Sequence, residues 1–369
     1  GSSELRPHRA AVGLYDLKDG QLLRRKSVEL DITGDLTQVK ELSGEKLADL
    51  ILINDHDLTY AKIRFDDRSI ATLKAHLGKL DDGLSRALCW SAAWDMFRDA
   101  ELSATDFVEI ALTGLAGEDD ITTVTALMSQ LNTAVEIYAA DKNRDALREK
   151  VAGALLSLLK SAKAGSDHQL QFARSFAALA QTKEQGAEIR NILDGKFQDL
   201  KIDADLRWHL ILCLVERGLS TRAEIDAELK RDNTLTGGLS HERCIAAFPT
   251  LEAKEAAFIK ATEDESITNW SRLSAIQGYN RPIQRHLHEG FVDRYFDLIL
   301  ETYNTKSYEV STSIIDLLYP SYLISSQTLA KTDAWLNGPG KDSHPTLRRH
   351  ILEAKDSLER ALRVRAIDS

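Results

Sequence analysis

No proline interrupts the chain between Pro7 and Pro249. Proline removes a backbone donor and breaks helix interiors, so a stretch this long without one leaves room for an extended series of helices. The apolar pattern uses that room. From Asp67 onward hydrophobic residues recur at helical spacing in "LSRALCWSAAWDMFRDAEL", "ALREKVAGALLSLLKSAK", "HQLQFARSFAALAQT" and "LRWHLILCLVERG". The breaks carry helix punctuation. Ser103 stands as a cap before "FVEIALTGLAG", Gly218 follows "CLVER", and Thr221 precedes Glu224 at the capping-box spacing. Some helices are apolar on more than one stripe. In "RALCWSAAWDMF", Trp90, Trp94 and Phe97 share one side, and Leu84, Leu88 and Ala92 another. Helices buried on two sides suit stacked layers, so a large HEAT-like α-α superhelical domain is expected over 67–369, without a fixed-period repeat.

Residues 5–66 have a different texture, and a small β-sandwich is expected there; the fold class is therefore mostly α with a β module in front. "RPHRAAVGLYDLKDGQLLRRKSVELDITG" holds two strand-like runs split by Asp19-Gly20, a strong hairpin signal. In "ADLILINDHDLTYAKIRFD", Ile51 to Ile53 form an apolar run and Asn54 to Asp57 a polar turn. Leu58 to Phe65 then alternate, which predicts a strand with Ile63 and Phe65 facing the core. So small a module is expected to lean on a neighbour for its stability.

Bulk properties exclude several classes. A net charge of −10 and a pI near 5.6 argue against a nucleic-acid binder, which needs a basic footprint. No apolar run has the length to span a bilayer, and no signal peptide opens the chain. Cys89, Cys213 and Cys244 are far apart and odd in number, which fits a reducing, cytoplasmic setting and gives no disulfide or zinc framework. The start, "GSSEL", reads as a cloning scar over 1–4, and the chain is expected to be an excised piece of something longer.

Chemistry-bearing motifs are broken where they occur. "RHLHEGFVDRYF" contains "HEGFV", but Val292 stands where a His-Glu-x-x-His zinc motif needs its second histidine. His286 and Glu289 at i, i+3, with Asp293 four residues after Glu289, read as a solvated helix face. "NGPGKDS" has Asp342 where a phosphate loop needs Ser or Thr, and reads as a loop between helices. "GYNRPIQRHLH" is more informative. Pro282 predicts a helix start there, with Arg281, Arg285 and His286 gathered beside it. Positive charge at a helix N-terminus calls for an offsetting anion, and a peptide C-terminal carboxylate qualifies. The last helix, "TLRRHILEAKDSLERALRVRAI", carries an apolar stripe of Ile351, Leu352, Leu358, Ala361 and Leu362 and is basic elsewhere.

Taken in order, "RPHRAAVGLYDL", "LILINDHDLTYAKIRFD", "RALCWSAAWDMFRDAELSATDFVEIAL" and "GYNRPIQRHLHEGFVDRYF" resemble the C-terminal half of the aminopeptidase N family of zinc aminopeptidases, in its actinobacterial branch. In that family a catalytic zinc domain is followed by a small β-sandwich and a long helical domain that forms a bowl over the active site. The resemblance implies a non-catalytic region that caps the cavity and controls peptide access, within a parent that trims N-terminal residues. It implies zinc in an upstream catalytic domain of the same polypeptide, with none held here. The partners implied are that domain and peptide substrates. Asn280, Arg281, Gln284 and Arg285 are the candidates for contact with peptide. The alternative expectation is a free-standing HEAT-like scaffold that binds protein partners.

Overall fold

The computed structural model describes residues 5–197 and 199–368; the scar expected at 1–4 lies outside them. Among these residues the chain begins with one three-stranded antiparallel sheet in the order β2-β1-β3, made of β1 (His8–Lys18), β2 (Gln21–Ile32) and β3 (Leu50–Ile53). A second sheet, which a sandwich requires, is not among them. Asp19 and Gly20 turn β1 into β2 with φ of 52° and 78°, the paired left-handed conformation that a two-residue hairpin needs. β1 is central, and Ala10 to Tyr15 are buried on both faces, so it reads as a continuous apolar run. β2 lies at the edge and is mostly exposed.

The strand expected at Leu58–Phe65 does not form. This segment has no ladder partner, and Tyr60 is fully exposed. Phe65 is buried as expected, its N–H lying 3.4 Å from Met96 Sδ. Alternation of side chains here reports one anchored residue and no sheet.

Four helices follow: α1 (Asp67–His76), α2 (Gly83–Arg98), α3 (Ala104–Leu115) and α4 (Ile121–Thr133). Twelve more run to the end: α5 (Asp141–Ser161), α6 (Asp167–Leu179), α7 (Lys183–Leu193), α8 (Ala204–Val215), α9 (Arg222–Arg231) and α10 (Leu235–Ala246). The last six are α11 (Leu251–Thr262), α12 (Asn269–Tyr279), α13 (Val292–Thr305), α14 (Tyr308–Leu317), α15 (Ser326–Asn337) and α16 (Pro345–Asp368). The punctuation is where the sequence puts it. Ser103 Oγ accepts from Asp106 N, Thr221 and Glu224 form a capping box, and Gly218 takes a φ of 69° just past α8. Two expected core positions are on the surface: Leu84 of α2 and Leu352 of α16 are 47% and 44% exposed. Their helices bury narrower stripes, Cys89, Trp90 and Phe97 in one and Leu347, Ile351 and Leu358 in the other. None of the described helices is long and apolar enough to cross a membrane.

Contacts divide the described residues into two compact units. One gathers the chain up to Val135, Ala139–Leu147 and the segment from Val364 onward; the other holds Glu136–Tyr138 and Arg148–Arg363. In the first, the sheet leans on helices through a buried polar knot. Asp55 accepts from Tyr15 Oη, from Ser85 Oγ at 3.1 Å and from Arg24 Nη1 at 2.9 Å. In the second, an aromatic core joins α11 to α15, with Phe258 and Phe291 ring centroids 5.2 Å apart and Tyr295 edge-on to Tyr319 at 5.8 Å.

Candidate functional site

The segment carrying the candidate residues is not the helix start that Pro282 predicts. Pro282–Leu287 and Glu289–Phe291 form 3₁₀ turns, and the α-helix begins only at Val292. An α-helical N-terminus is thus absent at Arg281 and Arg285, and so is the helix face expected for His286 and Glu289. His288 is buried, its ring stacked 4.5 Å from that of Tyr279 and its Nε2 2.9 Å from the Tyr279 carbonyl. Burial pushes it down to about 4, so it is a neutral core histidine. His286 and Glu289 are exposed. No group of three or more His, Cys, Asp or Glu able to hold a metal occurs among the described residues. The residues present here do not fit a zinc site.

The positive charge at this turn is offset, and the anions are internal. Arg281 Nε donates to Glu216 Oε2, and Arg217 donates to Glu216 Oε1. Arg285 Nη2 reaches Glu136 Oε2 at 2.5 Å and its Nη1 reaches the Glu136 carbonyl at 3.0 Å. Arg148 holds the same carboxylate at 2.6 Å. Glu136 lies in the π-helical turn Ala134–Tyr138, a local widening that often marks functional positions. Burial would raise the Glu216 carboxyl, but Arg281 and Arg217 outweigh it and hold the group below its ordinary value.

The four candidates have different standing in this geometry. Gln284 is 1% exposed and its Nε2 bridges the carbonyls of Glu216 and Ala247 at 2.7 and 2.8 Å, so it fixes the turn. Asn280 Nδ2 donates to the Leu317 carbonyl at 3.0 Å. Arg285 spends its guanidinium on Glu136 and on the Pro282 carbonyl. Arg281 differs. Its Nε is bound to Glu216, but Nη1 and Nη2 have no hydrogen bond among the described residues, and the side chain keeps 20% of its surface open. Tyr322, which is largely buried, sits close enough for Arg281 and Glu216 to influence its hydroxyl. The neighbouring cavity beside Asn280 and Tyr322 measures about 10 Å³, room for a single water, so any larger ligand at Arg281 must lie at the surface.

Sequence inspection missed Glu136, Arg148, Glu216, Arg217 and Tyr322. The partners of Arg285 and Arg281 are 149 and 65 residues away in sequence, and no local spacing encodes pairing at that range. The only usable signal was the surplus of arginine itself.

Comparison with known proteins agrees with the resemblance read from the sequence. The family model of the ERAP1-like C-terminal domain matches residues 50–360. The chain is also 40% identical, over 372 aligned residues, to the aminopeptidase N of Streptomyces lividans. That alignment covers 100% of this chain and 43% of the relative, so the likeness is to part of a longer protein. On the family match, which takes in most of its length, the chain belongs to the ERAP1-like C-terminal domain family.

Proposed function

We propose that this chain is the non-catalytic C-terminal region of a zinc aminopeptidase, and that it caps the active-site cavity and governs peptide access. Zinc and the hydrolytic residues then reside in an upstream catalytic domain, which together with peptide substrates makes up the partners of this region. The likeness to a C-terminal portion of an aminopeptidase N supports the parent activity. The open fork of Arg281 supports the role in peptide contact. A guanidinium anchored at Nε by a buried glutamate has two parallel N–H donors left in fixed geometry, which is the arrangement that suits a carboxylate.

Two measurements test this. The chain alone should neither retain zinc nor release naphthylamine from an aminoacyl-naphthylamide; turnover that a chelator abolishes would overturn the non-catalytic reading. In the full-length parent, Arg281→Gln should raise KM for a long peptide with a free C-terminus by about tenfold, the loss of one charge-assisted bidentate contact. C-terminal amidation of the peptide should impose the same penalty on the wild type and none on the variant. Equal effects of Arg281→Gln on free and amidated peptides would refute the carboxylate role.

A further inference from the structure

α10 and α11 are joined by the short turn 247–250, and α12 lies beneath both, with Ala275 in the floor between them. The positions that line the gap between α10 and α11 are largely alanines, Ala246, Ala253, Ala256 and Ala257, whose side chains are too short to fill it. A cleft of about 480 Å³ remains, within the roughly 300–1,000 Å³ that ligand pockets occupy. Ile245 and Phe248 complete its apolar lining. Both are half-buried, as is Ala253, and Ala256 is exposed, so alkyl and aromatic surface is open to an incoming molecule. The cleft is closed at each end. The turn that carries Phe248 and Thr250 shuts one. At the other, Lys260 of α11 reaches Glu242 of α10 at 3.2 Å, an ion pair that spans the cleft from wall to wall. From Ala253 to Lys260 the helix rises only about 10 Å at about 1.5 Å per residue.

Length and charge select the occupant. A partner helix or an extended peptide runs past its contact site at both ends, and here both ends are blocked. A compact molecule about two rings long fits between them. The polar groups at the rim are spent on one another. Glu242 is held by Lys260 and by Ser271 Oγ at 2.5 Å, and His241 Nε2 lies 2.7 Å from Asp226 Oδ1. An ionised ligand would have to break one of these pairs or lie against hydrocarbon without a counter-ion. A neutral one displaces water from apolar surface and leaves every pair intact. We propose that this cleft binds a compact, uncharged, largely apolar small molecule, its rings against Ile245, Phe248 and the alanine floor. The site is separate from the Arg281 cluster and does not depend on the aminopeptidase reading.

Calorimetric titration of the whole chain with 1-naphthylmethanol tests this, with 1-naphthylmethylamine and 1-naphthoate as cationic and anionic controls of the same ring system. The alcohol should bind at submillimolar concentration and each ion at least about tenfold more weakly. Ala256 is exposed on the wall of the cleft, so Ala256→Trp should fill it and weaken the alcohol about tenfold or more while the thermal transition stays in place. Glu242→Gln leaves Lys260 without its carboxylate, so 1-naphthoate should gain about tenfold and the alcohol should be unaffected. The proposal falls if either ion binds the wild type as tightly as the alcohol, if the alcohol does not bind at millimolar concentration, or if Ala256→Trp binds it normally. It falls equally if sedimentation shows a dimer that Ala256→Trp dissolves, because the cleft would then be an interface between copies of the chain.

Discussion

Lys254 of α11 is completely buried, and its ammonium ties three helices together. Nζ donates to the Ala246 carbonyl at 3.0 Å, at the C-terminus of α10, and to the Gly278 carbonyl at 3.1 Å, near the C-terminus of α12. Both are helix-end acceptors with no intrahelical donor, and a cation is well placed against two converging negative dipole ends. Burial nevertheless pushes the amine down from 10.5 to about 7, and Arg281 adds to the effect. Between pH 7 and 10.5 the unfolded chain therefore binds more protons at this residue than the native state does, so stability must rise with pH through that window. The full displacement corresponds to about 5 kcal/mol at about 1.4 kcal/mol per pH unit. Between pH 6 and pH 9 the gain is about 2–3 kcal/mol, because titration at about pH 7 cuts into the lower part of the interval. Buried tyrosines and cysteines also titrate at the alkaline end, so the comparison is made against Lys254→Met, which keeps them all. Urea unfolding followed by circular dichroism should show the wild type gaining about 2–3 kcal/mol more than the variant from pH 6 to pH 9. Parallel stability curves would mean that the two carbonyls hold the charged amine at no net cost, and the reasoning would fail.

Three further outcomes are expected. In Gly278→Ala the new Cβ would lie 2.2 Å from the Arg243 carbonyl, so α12 must move off α10; urea unfolding should register a loss of about 2–3 kcal/mol. Asp368→Ala withdraws the acceptor for Thr105 N–H, Ala140 N–H and Asn143 Nδ2, at 3.2, 2.9 and 3.2 Å, and should cost about 2–3 kcal/mol by the same measurement. Glu216→Gln leaves Arg217 and Arg281 without their shared carboxylate, and a loss of about 3–5 kcal/mol is expected at pH 7. The Glu216 carboxyl is held below its ordinary value when folded, so its contribution is complete above about pH 4.5 and is lost as pH falls through the lowered value. The deficit of the variant should accordingly shrink on acidification, and a deficit constant from pH 7 to pH 3 would count against the pairing.

Local chemistry is what the sequence made legible. Caps, the Asp19-Gly20 turn and the helical texture beyond Asp67 each depend on residues within a few positions of one another, and all are present. Readings that depended on distant partners fared differently. Leu58–Phe65 alternates as a strand would, but strand formation requires a ladder partner, and no strand among the described residues pairs with it. Pro282 sits where a helix could begin, but 3₁₀ turns persist until Val292 because Gln284 and Arg285 give their side chains to the carbonyls of Glu216, Ala247 and Glu136. Those three acceptors lie between 37 and 149 residues upstream.

The arginine cluster is a poor device for stability, and this bears on why it is built as it is. A buried ion pair roughly repays its own desolvation, and apolar residues of the same volume usually do as well. Here Arg148 and Arg285 converge on Glu136, and Arg217 and Arg281 on Glu216. Three of the four guanidiniums also bond backbone carbonyls or lie almost wholly buried, which fixes their orientation. Only Arg281 combines a clamped Nε with open terminal nitrogens. A cluster selected for stability would have closed that fork with a third carboxylate or replaced it with a hydrocarbon; one that holds a donor pair rigid for an incoming carboxylate would leave it open, at an orientation set by its neighbours.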